Sequence, residues 1–312
     1  MNILLTGATG FVGQEVLRQL RRAGHSVRIL ARNPASRRVQ EARAGHGVEV
    51  HPGEITDAGS LAGACDEVAA VIHLVGIISE TGRSTFENVH TQGTANIVAV
   101  AQRAGARRFL HISALGTRAA AVSRYHQTKW AAEQGLRASG LDYTIFRPSL
   151  IYGPRDHFVN LFATIARFSP IVPVLGRRGA RFQPVAVETV ARAFVQALIT
   201  PETIGKTYDL CGPDRLTLSE IVESILEVTR RRRFKVRVPA GLAWAQAALL
   251  EQVCPRLLGR APPLNRDQLI MLGEDNLGDP APANALLSLP QTPFRQGIAR
   301  YLQSRPHPAL RT

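Results

Sequence analysis

Three glycines, Gly7, Gly10 and Gly13, follow directly on the apolar run Asn2-Ile3-Leu4-Leu5-Thr6 and precede Gln14-Glu15-Val16-Leu17-Arg18-Gln19-Leu20. No other stretch constrains the fold so tightly. The apolar run has strand length and the β-branched residues Ile3 and Thr6, and the segment after Gly13 is helical in character. In a strand, turn and helix of this spacing, Gly7 permits the tight turn and Gly10 lets the backbone approach a pyrophosphate. Gly13 lets helix and strand pack closely. The helix N-terminus then offers free N–H groups and a partial positive charge to phosphates. The pattern implies dinucleotide binding; its bland alternative is an ordinary strand-turn-helix connection.

Further strand-like runs occur at Val27–Ala31, Val48–His51, Val71–Val75, Phe109–Ser113 and Tyr143–Arg147, with helical patterns at Val89–Ala104 and Tyr125–Ala138. This alternation implies the α/β class, a doubly wound parallel sheet with helices on both faces. The 312 residues, 45% hydrophobic, suffice for one large domain or two modest ones. After Pro154 prolines at 170, 173, 184, 201 and 213 cut the chain into shorter pieces. Helices are expected over Glu188–Leu198, over Leu218–Arg230 with Thr217 or Ser219 as cap, and over Phe294–Leu302. The expected division is a nucleotide-binding core over residues 1–153 and a smaller substrate or partner lobe over 154–312, with some of its segments returning to the core sheet. That lobe would lie over the carboxyl ends of the strands, where open α/β sheets bind ligands.

Two candidate sites follow. The second strand ends at Ala31, and Arg32 follows where a carboxylate usually meets the ribose of a cofactor without a 2′-phosphate. No Asp or Glu occurs between Glu15 and Glu41, whereas Arg32, Arg37 and Arg38 do. Guanidinium forks suit a phosphate, so NADP(H) is favoured over NAD(H). The second candidate is Ser113, Tyr125 and Lys129. Tyr125 and Lys129 are four apart on a predicted helix and share a face. A nearby ammonium should lower the phenol's pKa and fit Tyr125 for general acid/base work. Ser113 would hold a substrate carbonyl or hydroxyl, and Lys129 would also grip the cofactor ribose. The bland alternative packs Tyr125 in the core and leaves Lys129 solvated.

The run GATGFVG, the Ser113, Tyr125-x-x-x-Lys129 arrangement and Arg147-Pro148-Ser149-Leu150-Ile151-Tyr152-Gly153-Pro154 resemble the extended and atypical short-chain dehydrogenases/reductases. Gly93-Thr94-Ala95-Asn96, Phe182-Gln183-Pro184-Val185 and Gly212-Pro213 extend the resemblance to about residue 230. The phrases HLVGII, SRYHQTKWAAE and FRPSLIYGPRDHFVNLF resemble the NAD(P)H-binding accessory subunit of respiratory complex I and its bacterial relatives. The resemblance implies a Rossmann core and a catalytic set of Ser113, Tyr125 and Lys129. It implies a nucleotide site of Gly7, Thr9, Gly10, Phe11, Val12 and Gly13, then Arg32, Asn33 and Arg37, then Glu54 and Ile55 near the adenine. Leu74, Val75 and Gly76, with Tyr125, Lys129, Pro148 and Ile151, complete it. His90 stands where the superfamily often has Asn, and Glu54 where it often has Asp. His73 and His126 are expected to pack rather than catalyse.

The chain shows no signal-peptide pattern, and its longest charge-free apolar stretch, Val238 to Leu250, is too short to span a bilayer. Cys65, Cys211 and Cys254 lie far apart and fit a reducing, cytoplasmic setting, and the nine histidines lack zinc-like spacing, so no metal site is expected. The formal charge of +14, carried almost wholly by arginine, favours anionic partners. Arg230-Arg231-Arg232-Arg233-Phe234-Lys235-Val236-Arg237 beside the apolar stretch containing Trp244 suggests an anionic membrane surface at the inner face. Its alternative is a twisted edge strand with basic outward residues, followed by a helix buried in the lobe. Nothing resembling a nucleic-acid recognition motif accompanies the charge. Two readings stay open: an oxidoreductase of an apolar carbonyl, alcohol or quinone-like substrate, and a non-catalytic NADPH-binding module serving a respiratory or quinone-biosynthesis partner. A nucleotide-sensing regulator of nucleic acid has only charge behind it.

Overall fold

A computed structural model describes residues 1–177 and 179–303; the last residues of the expected lobe, 304–312, lie outside the described residues. Six strands come from the first half: β1 (Asn2–Thr6), β2 (Ser26–Ala31), β3 (Glu49–Pro52), β4 (Ala70–His73), β5 (Arg108–Ile112) and β6 (Asp142–Pro148). The helices between them are α1 (Phe11–Arg22), α2 (Arg37–His46), α3 (Gly93–Arg103) and α4 (Arg124–Arg137). In the second half run β7 (Ile151–Tyr152), α5 (Phe158–Phe168), β8 (Ile171–Val174), β9 (Arg181–Phe182), β10 (Val185–Ala186), α6 (Val187–Ala197) and β11 (Lys206–Leu210). Then follow β12 (Leu216–Thr217), α7 (Leu218–Val228), β13 (Phe234–Arg237), α8 (Ala240–Val253), α9 (Arg266–Gly273), α10 (Ala281–Leu287) and α11 (Phe294–Leu302).

Seven parallel strands form the central sheet in the order β11-β6-β5-β4-β1-β2-β3. Ile3, Leu4 and Leu5 of β1 are fully buried, as expected of a parallel strand covered on both faces. On one face Val16, Leu17 and Leu20 of α1 pack with Val190 and Phe194 of α6. On the other, Ile97 and Ala101 of α3 and Leu136 of α4 cover Leu4, Val71 and Phe109. The direction of chain winding reverses between β1 and β4, and the crevice at such a switch point is where this architecture takes ligands. The seventh strand, β11, was not singled out in the sequence. It is an edge strand of mixed polarity, KTYDL, with a single fully buried residue, Leu210.

A second apolar core joins α5, β8, α7 and α11 through Val159, Phe162, Val172, Ile221, Ile225 and Ile298. Thr217 is the cap of α7 in a reciprocal box: its hydroxyl accepts from Glu220 N at 3.3 Å, and Glu220 accepts from Thr217 N at 2.7 Å. The helix stops at Val228, two residues short of expectation, because Arg230 turns left-handed at φ +53°. The expected helix over Val89–Ala104 is regular only from Gly93, after a π-helical turn over Glu87–Gln92. The alternative framed for the basic segment is half right. Among the described residues β13 pairs with β8 alone, but α8 is not buried in the lobe. Only Ala243 and Ala247 are covered; Leu242 and Leu249 are each 62% exposed and Trp244 43%. Among the described residues no helix is long and apolar enough to cross a membrane.

Candidate functional site

The glycine loop owes its shape to missing side chains. Gly7 sits at φ +75°, and a Cβ there would stand 3.0 Å from the Leu74 carbonyl carbon. A Cβ on Gly13 would stand 2.0 Å from the Gly7 oxygen, so no other residue lets α1 approach β1 this closely. Gly10 N donates to Gly7 O at 3.0 Å, and a Cβ at Gly10 would meet only that oxygen, at 3.2 Å. The α1 N-terminus has no side-chain cap and no acidic residue in its first turn, which leaves its N–H groups to an anion. These features fit a dinucleotide pyrophosphate.

A cavity of about 350 Å³ opens beside the loop. Of the residues implied by resemblance, Gly7, Thr9, Arg32, Asn33, Glu54, Ile55, Val75 and Gly76 line it. Ser36, Thr56 and Ile77 also line it and were not anticipated. Arg32 reaches 3.7 Å from Glu54, with both side chains partly open to solvent. Arg37 is turned away: it pairs with Glu41 at 2.7 Å, one helical turn on, and does not line the cavity. The others serve as walls or supports. Phe11 stacks towards Gly153, where a Cβ would meet its ring at 3.2 Å, and Leu74 backs Gly7. Val12 and Ile151 pack on the sheet core, and Pro148 O accepts from Leu115 N at 2.9 Å.

Ser113 directly follows β5, and Tyr125 and Lys129 lie on α4, but each is engaged differently from expectation. Ser113 Oγ donates to Glu133 at 2.5 Å. Glu133 is fully buried and receives Arg147 through two bonds, at 2.6 and 2.8 Å. Lys129 is 2% exposed; its Nζ donates to Ile112 O at 3.0 Å and lies against Gly76, a wall of the cavity. Burial pulls its pKa down to about 8, with Glu133 acting in the opposite direction. The Tyr125 ring stands edge-on to Phe86, His90 and His126, with centroids 5.2–5.9 Å away. Its phenol is not lowered by Lys129 as the four-residue spacing suggested. Burial first, and the Asp267 carboxylate second, push it up to about 12.

Three residues outside the sequence-derived set shape this centre. His90 Nε2 accepts from Ile77 N at 3.1 Å, and its Nδ1 faces Thr128 Oγ1 at 3.0 Å, while that hydroxyl donates to the carbonyls of Arg124 and Tyr125. The pair of contacts fixes a neutral imidazole with its proton on Nδ1, in keeping with burial that drives its pKa down to about 2. Glu133 is four residues beyond Lys129, a spacing that marks it as a helix neighbour. Asp267, from α9, accepts Arg124 N at 2.8 Å, Tyr125 N at 3.1 Å and Ser123 Oγ at 2.7 Å, and so caps the Tyr125 helix from a distant element. His73 is a buried support between Thr6 and Thr94, stacked on His111. A second cavity of about 400 Å³ opens beside Phe86, Arg124 and Asp267, and Trp244 and Ile270 also line it. Among the described residues no group of His, Cys, Asp and Glu is placed to hold a metal ion.

The NAD(P)H-binding family model matches residues 7–161. Mitochondrial NADH dehydrogenase (ubiquinone) 1 alpha subcomplex subunit 9 of Arabidopsis thaliana is 30% identical over 87% of this chain and 69% of its own length; the chain spans 60% of the mouse subunit. A ceramide reductase of Caulobacter vibrioides is 31% identical over 76% of this chain and 73% of its own. The structure of UDP-glucose 4-epimerase from Thermotoga maritima superposes with TM-score 0.75 at 19% identity, covering 97% of this chain and 99% of that one. That likeness is one of fold. The chain thus belongs to the NAD(P)H-binding, atypical short-chain dehydrogenases/reductases, alongside the accessory subunit of respiratory complex I.

Proposed function

We propose that this protein is an NADP(H)-dependent oxidoreductase that reduces an apolar carbonyl compound, quinone-like or lipid-like. The observation that carries the reading is that Tyr125 stands one turn before Lys129 on α4. The Lys129 ammonium lies against Gly76 of the nucleotide cavity, while burial favours the protonated phenol. A protonated phenol suits the delivery of a proton to a carbonyl oxygen, the reductive direction. The nicotinamide, when bound, supplies the hydride. Lys129, beside Gly76, would hold the ribose, while Gly7, Thr9 and the α1 N-terminus hold the phosphates. Ser113 has committed its one proton to Glu133, so it has none to offer a carbonyl and can only accept from the hydroxyl of the alcohol product. The cavity next to the Tyr125 helix has an apolar part, Phe86, Val122, Trp244 and Ile270, for a substrate's apolar body, beside the charged Glu80, Arg124, Glu251, Arg266 and Asp267. A ceramide reductase among the relatives fits a lipid-like substrate.

The preference for NADP(H) rests on Arg32 and on Ser36 at the uncapped start of α2, both in the cavity, with Glu54 already faced by Arg32. The same reading puts the protein in the cytoplasm, peripheral to the inner face of a membrane. A second reading, a non-catalytic NADPH-binding subunit of a respiratory assembly, is favoured by the way Ser113 and Lys129 are held by Glu133 and Ile112. Complex I subunits among the relatives fit it as well.

Fluorescence titration of NADPH and NADH, combined with an oxidation assay over ketones, aldehydes and quinones, tests both readings. NADPH should bind more tightly, and Arg32→Asp should remove the preference, a change of about 1.5–3 kcal/mol. Tyr125→Phe should abolish most turnover while leaving NADPH affinity intact. Tight binding with no oxidation across the whole panel would hand the case to the non-catalytic reading. Equal affinities for the two nucleotides would remove the NADP(H) assignment.

A further inference from the structure

At the far end of the second core, β8 and β13 form a two-stranded ribbon whose outer face is apolar and uncovered. The parallel register sets Phe234 beside Ile171 and Val236 beside Pro173. Alternation sends Val172 and Val174 into the core, where they are 0% and 5% exposed, and so sends Ile171 and its partners outward. Phe234 is 76% exposed, as is Phe168 at the end of α5, and Ile171 and Val236 are 47% and 46%. These side chains form one patch, because Phe234 N donates to Pro170 O at 2.9 Å and Arg233 Nε to Ala166 O at 2.8 Å. An isolated exposed apolar residue is ordinary, but four large ones on one surface mark an interaction site.

Arginine gathers at the end of the patch where both strands begin. Arg167, Arg230, Arg231, Arg232 and Arg233 flank it, and among the described residues none of them forms an ion pair. By contrast Lys235, on the opposite face of the same strand, is paired with Glu223 at 2.6 Å. The Arg167 guanidinium lies 5.1 Å over the Phe168 ring. An apolar centre with an unneutralised guanidinium edge is the chemistry of a surface that sinks its centre between lipid headgroups and pairs its edge with their phosphates. Ile171, Pro173 and Val236 are aliphatic and give a base no ring to stack on, which favours lipid over a single-stranded nucleic acid here.

We infer that the Phe168, Ile171, Phe234 and Val236 face, with its arginine edge, is the surface by which this protein docks on an anionic phospholipid bilayer. The inference deepens the peripheral-membrane part of the proposed function and is independent of the reductase part. It assigns docking to the β8–β13 ribbon and does not require α8.

Vesicle flotation tests it with the full chain, using phosphatidylcholine alone and phosphatidylcholine with one-third phosphatidylglycerol, at low and high salt. Each positive side chain near an anionic surface contributes about fivefold to partitioning, so Arg230→Gln, Arg231→Gln and Arg232→Gln together should lower binding on the order of a hundredfold. Phe168→Ser with Phe234→Ser should lower it on the order of tenfold or more, even where salt has weakened the charge contribution. Arg22→Gln, Arg83→Gln and Arg103→Gln, exposed arginines elsewhere, control for net charge and should change it little. Unchanged thermal unfolding and NADPH affinity in all variants separate docking from folding and from the nucleotide site. If wild type floats and the face variants float equally well, docking lies elsewhere and the inference falls while the peripheral reading stands. If wild type binds no vesicle at all, both fall. Binding that ignores lipid charge, or a dimer in sedimentation that Phe234→Ser dissolves, would reassign the face and overturn the inference.

Discussion

The glycine loop and the Tyr125 cluster are built on opposite principles. In the loop, function comes from side chains that are absent: Gly7 turns left-handed, and Gly13 brings α1 so close to the loop that a Cβ on it would stand 2.0 Å from Gly7 O. In the cluster it comes from side chains held by others: Ser113 by Glu133, Lys129 by Ile112, the Tyr125 helix by Asp267. A backbone shape tolerates no substitution but requires no partner. A buried ensemble of titratable groups tolerates many substitutions, and its properties shift with every neighbour.

The sharpest way to break the comparison is in the loop. Gly13→Ala would drive a Cβ into the Gly7 carbonyl, which belongs to the backbone and cannot swing away. The expected loss exceeds about 4 kcal/mol, a large share of the roughly 5–15 kcal/mol by which a folded protein is ordinarily stable. Gly10→Ala, whose Cβ meets only one atom at 3.2 Å, should fold but bind nucleotide poorly. Circular dichroism melts and a nucleotide titration check the pair. Normal melting of Gly13→Ala would show that the loop has slack the geometry denies.

Those two substitutions also mark what the sequence made legible. The three glycines, the Tyr125 and Lys129 spacing and the strand runs are local signals, and local signals report backbone shape well. Strand boundaries read from apolar runs came within two residues, β4 ending at His73 where the run continues to Val75. Glu133 was within reach, since it lies one turn beyond Lys129 on the same face. Asp267 was not. It meets Tyr125 from 142 residues away, and nothing near position 267 announces a cap for another helix. The phenol's pKa was misjudged for the same reason: spacing revealed Lys129, but burial and a distant carboxylate set the direction.

The cluster's second property, charge suppressed by burial, should be visible in acid. His73, His90 and His111 are buried, and burial, aided by Lys129, lowers all three, His73 to about 3. Unfolded, each would titrate near 6.5. Below that pH the unfolded chain binds protons that the folded chain refuses, so stability falls as pH drops from about 6.5 towards 3. Each histidine contributes a slope of about 1.4 kcal/mol per pH unit. Neither ring nitrogen of His111 has a hydrogen-bond partner among the described residues. His111→Leu should therefore remove one such increment without loss of stability at pH 7. Urea midpoints measured from pH 7 to pH 4 would show it, and parallel slopes for variant and wild type would contradict the burial account.

The smallest expected effect is the most informative, because Asp267 touches both principles at once: it satisfies backbone groups of α4 and it charges the space near a phenol. Asp267→Asn keeps an oxygen that can accept from Arg124 N or Tyr125 N but removes the negative charge. A cap of this kind and its favourable place at a helix N-terminus are together worth about 1 kcal/mol. The melting temperature should drop by about 1.5 °C, since the unfolding entropy that divides this loss grows with the length of the chain. The phenol offers the finer reading. Burial is the first cause of its high pKa and Asp267 the second, so the neutral amide should lower it only in part and leave it above 10. With five tyrosines in the chain, the difference between tyrosinate absorbance titrations of wild type and variant isolates the one that moves. A return to 10 would mean that Asp267, not burial, sets the proton affinity of Tyr125, and that the proton donor is tuned by a residue of α9, 142 positions along the chain.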